Sequence, residues 1–186
     1  EGLTIGTSWI FDEDFAQENN IAVPVPFQLV VPKDDDFLVG TEIGPGGDTI
    51  IKYHFVTLNR QWMENIQFIP MTLPMADMEE RLQTLVQALA QQVFPAAAAS
   101  SNESKIDAAR KITIGPYQAV EVVGRYMDVT DGLVHLRLVG IPNPDSPESI
   151  YAVANLLDSQ VPVTSLDDLA TTRSGKALSS FRYRAE

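Results

Sequence analysis

The hydrophobic residues of this chain repeat at two different spacings, and the switch between them at Pro74 constrains its fold more than any other feature. From Ile21 onward the odd positions Ile21, Val23, Val25, Phe27, Leu29 and Val31 are apolar, the period of two that lines one face of a strand. Pro24 and Pro26 have no N–H to give to a ladder, so the first half of this stretch is expected at an edge or simply extended. Ile51, Tyr53 and Phe55 alternate with Lys52 and His54 in a second strand over about 48–58, and Ile66, Phe68, Ile69, Met71 and Leu73 mark a third at about 65–73. Beyond Pro74 the spacing changes: Met78, Leu82, Leu85, Val86, Leu89 and Val93 share one face of a helix. Asp77 and Glu80 form an Asp-x-x-Glu start, so the spacing predicts a helix over 77–93.

The second half returns to the strand period. A long strand pattern runs from Ile112 to Met127, interrupted by Gly115-Pro116, and another runs from Leu133 to Ile141. Val120, Val122 and Tyr126 have to share a face with Val134, Leu136 and Leu138, so even positions oppose even ones across a loop of about five residues. Residues 149–157 fit either a helix started by Ser146-Pro147-Glu148 or a buried strand, with the run Ile150-Tyr151-Ala152-Val153-Ala154 favouring the strand. Ser165 and Asp168 open a last helix through Leu166, Leu169, Ala177, Leu178 and Phe181, which Gly175 can interrupt. Three segments read as irregular. Residues 1–20 form an irregular or short-strand arm that docks Trp9, Phe11 and Phe15; Asp34–Asp36 and Gly44–Gly47 bracket a solvated loop; Ala96–Ser104 is a flexible connector.

Residues 1–186 are expected to form one domain, since 186 residues with 45% hydrophobic content suit a single core. A net charge of -12 repels phosphate backbones and anionic lipid, which argues against nucleic acid and anionic membrane as partners. No apolar run approaches the roughly 20 residues that cross a bilayer. With no cysteine there is no disulfide, thiolate nucleophile or thiolate metal site. The chain starts at Glu1 and not at Met, a pattern that cleavage of a secretory signal produces. A periplasmic or otherwise exported location is therefore expected, with the cytoplasm as the alternative.

The sequence carries none of the familiar catalytic constellations. His54 and His135 are the two histidines, far apart and each within a strand pattern, so a zinc site has no converging ligands. Asp34–Asp36 lacks the alternation, glycine and final Glu of a calcium loop. There is no Gly-x-Ser-x-Gly elbow and no Gly-x-Gly-x-x-Gly. Ser174-Gly175-Lys176 is not a phosphate loop, because Ala170 and Ala177 stand where Gly and Ser or Thr are needed. Neither a metal nor a cofactor is expected. Asn102-Glu103-Ser104 matches the glycosylation sequon, a frequent coincidence.

Three passages carry a family resemblance: Asn65-Ile66-Gln67-Phe68 leading through Met78 to Leu89, Gly115-Pro116-Tyr117 running into Val123-Gly124-Arg125, and Leu178-Ser179-Ser180-Phe181-Arg182. With the order of elements, they make the region from about 65 to the end resemble the PsbP-like family, which includes bacterial DcrB-type lipoproteins. The resemblance implies an α+β fold, a mainly antiparallel sheet with helices packed on its faces in an α/β/α sandwich. It also implies an accessory or binding protein, often attached to or docked on a membrane assembly, and no catalytic residues.

The odd face of the two later strands gathers Glu121, Arg125, His135 and Arg137. The plainest role for such a cluster is cross-strand charge pairing on a solvated sheet face. Its functional role would be binding: one carboxylate for two guanidinium groups leaves a positive spot suited to an anionic group of a protein or small-molecule partner. Two further functions compete with a non-catalytic envelope accessory protein. One is a hydrolase or isomerase in which these four residues perform acid–base chemistry in a cleft, and the other is an oligomeric structural component.

Overall fold

A computed structural model describes residues 5–98, 101 and 103–185. The described residues form ten strands, β1 (Gly6–Phe11), β2 (Phe27–Pro32), β3 (Phe37–Ile43), β4 (Ile51–Thr57), β5 (Trp62–Thr72), β6 (Ser104–Ile114), β7 (Tyr117–Asp128), β8 (Gly132–Ile141), β9 (Glu148–Leu157) and β10 (Arg182–Tyr183). Their α-helices are α1 (Glu13–Asn19), α2 (Met78–Ala88), α3 (Phe94–Ala97) and α4 (Arg173–Ser179). Seven strands make one antiparallel sheet in the order β3-β4-β5-β9-β8-β7-β6, and β1-β2-β10 make a second, smaller one.

Alternation along the large sheet builds two cores. On one face Leu82, Leu85 and Leu89 of the helical layer bury against Val120, Val122, Leu136, Leu138 and Val153. On the other face Ile66, Phe68, Val139 and Ala152 meet Phe27, Leu29 and Val31 of β2, together with Leu178 and Phe181. Phe11 stacks on Phe27 and Phe27 on Phe181, at centroid distances of 4.5 and 5.4 Å, so aromatic contacts join the small sheet to the C-terminus. The α+β antiparallel architecture agrees with the sequence. One layer differs from a purely helical sandwich face, because α4 shares it with the three-stranded sheet.

Several local expectations are corrected. The N-terminal arm docks Phe11, Trp9 and Phe15 as predicted, but it does so as β1 followed by α1, whose first turn Asp12 caps by accepting from the Phe15 N–H. No residue of α1 is fully buried, so it has no apolar stripe to betray it. The expected loop between the Asp and Gly clusters contains β3, an edge strand exposed at six of its seven residues and therefore without alternation. Helix α2 starts at the predicted cap, where Asp77 accepts from the Glu80 N–H at 3.0 Å, yet the helical path outlasts Val93. A π-helical segment over Leu89–Val93 widens the helix just before Pro95, which has no N–H to give, and α3 continues to Ala97.

Gly115-Pro116 does not interrupt one strand but turns between two, with Ile114 paired to Tyr117. Gly115 has φ +54 and proline fixes a negative φ after it, the sign pattern of a type II′ hairpin turn. The even-to-even register of β7 and β8 holds, as in Val122 opposite Leu138, but the loop after Asp128 has three residues and not five, because Asp128 itself pairs with Gly132. Residues 148–157 are strand. The C-terminal helix is divided at Thr172 and not at Gly175: a 3-10 helix over Leu166–Thr171 ends there and α4 begins. Part of the predicted 96–104 connector, including Asn102 of the sequon, lies outside the described residues, and its ends are α3 and β6.

Candidate functional site

Glu121, Arg125, His135 and Arg137 do lie on one side of β7 and β8, but that side is not the solvated face the alternation suggested. Val123 and Val139, which point the same way, belong to the larger core, and Glu121 is fully buried. Its Oε2 accepts from Arg137 Nε at 2.7 Å, and its Oε1 accepts from Arg110 Nε at 2.8 Å. The register explains both contacts. Arg110 stands directly opposite Glu121 across the β6–β7 ladder, while Arg137 faces Val123, two residues further along β7. Arg110 lies before the strand pattern over Ile112–Met127, so the sequence offers no ladder that brings it opposite Glu121.

Burial pushes the Arg137 pKa down and the Arg110 charge adds to that, while the adjacent Glu121 carboxylate opposes it. Arg125 and His135 are cross-strand neighbours, yet each turns to a different acid. Arg125 Nη2 sits 3.5 Å from Asp107 Oδ1, and His135 Nε2 sits 2.7 Å from Asp158 Oδ1. Acidic side chains from β6 and from the end of β9 thus complete the pairing. The four residues separate: Glu121 and Arg137 join Arg110 around a buried carboxylate, while Arg125 and His135 form two further pairs.

Three other features could take part in recognition. The helices cover β6, β7 and β8, while over β4, β5 and β9 a polar track runs across the same face. There His54 pairs with Asn65 and Asn65 with Asn155 in register. Tyr126 donates to Asn155 Oδ1 at 2.9 Å, Asn155 Nδ2 donates to Asn65 Oδ1 at 3.0 Å, and His54 Nε2 lies 2.6 Å from Glu42 Oε2. No local motif announces this track, since Asn65 and Asn155 are 90 positions apart. A cleft of about 620 Å³ opens between the α1–β2 connection, the β3–β4 loop and the ends of β5 and β9, lined by Asn20, Ile21, Asp48, Met71 and Glu148 among others. A smaller one of about 400 Å³ lies beside Leu82, Lys111 and Gln118. Neither cleft is lined by Glu121, Arg125, His135 or Arg137.

No protein-family profile matches the sequence, and no curated protein does. Two solved structures share its architecture across nearly the whole chain. Cyanobacterial PsbP (CyanoP) from Synechocystis sp. PCC 6803 superposes with a TM-score of 0.57 at 13% identity, covering 99% of this chain and 96% of that one. LpqN, involved in cell envelope biogenesis of Mycobacterium tuberculosis, superposes with a TM-score of 0.55 at 12% identity, covering 96% of this chain and 91% of that one. The fold is PsbP-like, as the three sequence passages indicated.

Proposed function

We propose that this PsbP-like fold serves as a non-catalytic binding module of the cell envelope. The observation that carries the reading is the arrangement around the acid–base candidates. Both oxygens of Glu121 accept from arginine Nε–H groups, and the carboxylate is buried between them. A general acid or base has to come within hydrogen-bond reach of a substrate atom; Glu121 instead acts as the counter-ion of two guanidinium groups. The likeness in fold to LpqN, a protein involved in cell envelope biogenesis, supports an accessory role at the envelope. An exported location belongs to the same proposal.

The competing acid–base reading makes a direct prediction. Purified wild type, Glu121→Gln and His135→Asn are compared on chromogenic ester, glycoside and phosphate-monoester substrates. All three proteins are expected to turn over no faster than buffer. A wild-type rate above buffer that falls in either variant, at unchanged melting temperature, would overturn the proposal. Fractionation of cells expressing the natural gene tests the location, with recovery in the envelope fractions expected and recovery in the cytoplasm counting against the envelope role.

A further inference from the structure

The seven-stranded sheet ends in two edges, and they are built differently. Strand β6 is guarded in the ways natural edges usually are. It carries Lys105, Asp107, Arg110 and Lys111, and its pairing to β7 shifts register between Ile106 and Ala108. Strand β3 has fewer of these guards. It pairs with β4 without a register shift from Phe37 to Ile43, contains no proline, and has one charged residue, Glu42, which His54 holds at 2.6 Å. Leu38, Val39 and Ile43 are 42%, 37% and 39% exposed, and no other described strand pairs with its outer side. An edge of this kind is a template for one more strand.

The surroundings select the occupant by charge. Asp34, Asp35 and Asp36 are exposed immediately before β3, Glu42 lies on it and Asp48 follows it, against Lys33 and Lys52 over the same stretch. A second copy would bring the same acids and the same net charge of -12 to the contact, which like-charge repulsion disfavours. We infer that the free edge of β3 takes up an extended, Lys- or Arg-rich segment of a partner protein as an eighth strand of the large sheet. Main-chain hydrogen bonds to β3 would supply the pairing, and the acidic side chains at both ends would attract the basic ones and align the segment. This inference rests on the binding-module reading and names the chemistry of its partner.

The test is selection from a phage-displayed library of random linear peptides about ten residues long, followed by amide hydrogen exchange with the tightest binder. The selected peptides are expected to be enriched in Lys and Arg. The best of them should slow exchange within 37–43 by about tenfold or more and leave 104–114 unchanged. The same peptide N-methylated at alternate residues should lose this effect, and Val39→Lys/Thr41→Lys, at two exposed positions, should weaken binding about tenfold at unchanged melting temperature. Four results would each overturn the inference. They are failure to select any basic peptide, protection away from 37–43, equal binding of the N-methylated peptide (which would mean charge coating), and a peptide-free dimer in sedimentation with 37–43 already protected. Any of them leaves the turnover comparison above to judge the binding-module reading separately.

Discussion

A carboxylate buried between two guanidinium groups is a costly thing for a sheet to contain, and Glu121 survives there because each oxygen has its own donor. Arg137 is the vulnerable member, because it is almost as buried as Glu121 while Arg110 reaches solvent, with side-chain exposures of 8%, 0% and 39%. Arg137→Leu leaves Glu121 with a single partly solvated donor and is expected to cost about 3–5 kcal/mol in urea denaturation. Glu121→Leu/Arg137→Leu removes the stranded charge as well and should cost less than Arg137→Leu alone. Costs that simply add would mean that Arg137 contributes packing and not charge pairing. Arg81 is another buried cation, whose Nη1 and Nη2 donate to the carbonyls of Leu73, Asn143 and Ser146 while its buried Nε has no hydrogen-bond partner among the described residues. In this way α2 is tied to the β5 terminus and to the loop before β9.

At the scale of elements, the C-terminal segment shows how two short helices are held at a fixed junction. Ser165 and Asp168 form a reciprocal capping box on the 3-10 helix, and Thr172 caps α4 by accepting from the Gly175 N–H. Hydrogen bonds from the Thr164 hydroxyl and N–H, and then from the Ser165 N–H, hold the Asp168 carboxyl below its ordinary value of 3.8. A carboxyl lowered by folding contributes stability that is present above its unfolded pKa and is lost as pH falls through the folded one. An NMR titration of Asp168 should therefore give a midpoint below 3.8. Asp168→Asn should show a shallower loss of stability over that acid range. Gly175 supplies the opposite of its usual helix effect. Gly→Ala inside a helix normally stabilises by about 1 kcal/mol. Here a Cβ would stand 1.9 Å from the Leu169 carbonyl oxygen, so Gly175→Ala is expected to lower the melting temperature. A rise would mean that the two helices can separate without loss.

For the whole molecule, both cores share the seven-stranded sheet, so neither can be lost while the other persists intact. We propose that residues 1–186 behave as one cooperative unit. Trp9 packs on the larger core beside Tyr53, and the secondary structure is spread over both layers. In a Trp62→Phe variant, which leaves Trp9 as the one tryptophan, denaturation followed by fluorescence and by far-UV circular dichroism should give coincident transitions. A fluorescence change that precedes the loss of secondary structure would show that the small sheet detaches first. The C-terminal segment opposes such detachment, since the Ser174 N–H donates to buried Glu64 at 2.6 Å and Arg173 Nη1 lies 3.3 Å from the same carboxylate.

The sequence by itself determined the elements whose side chains repeat: the period-two strands β2, β4, β5, β7 and β8, the parity of the β7–β8 register, and the capped helix whose Leu82, Leu85 and Leu89 are buried. A half-buried element must alternate with its own period, and that alternation is written locally. Elements without a one-sided environment left no such trace, which is why exposed β3 and polar α1 read as loop and arm. For the candidate site, the sequence placed four residues on one side of a hairpin. Only the tertiary structure decided that β6 brings Arg110 to Glu121, that Asp107 and Asp158 take Arg125 and His135, and that a second sheet turns much of that side into core. These outcomes depend on contacts between segments distant in sequence, and the period of a single strand carries no information about what will cover it.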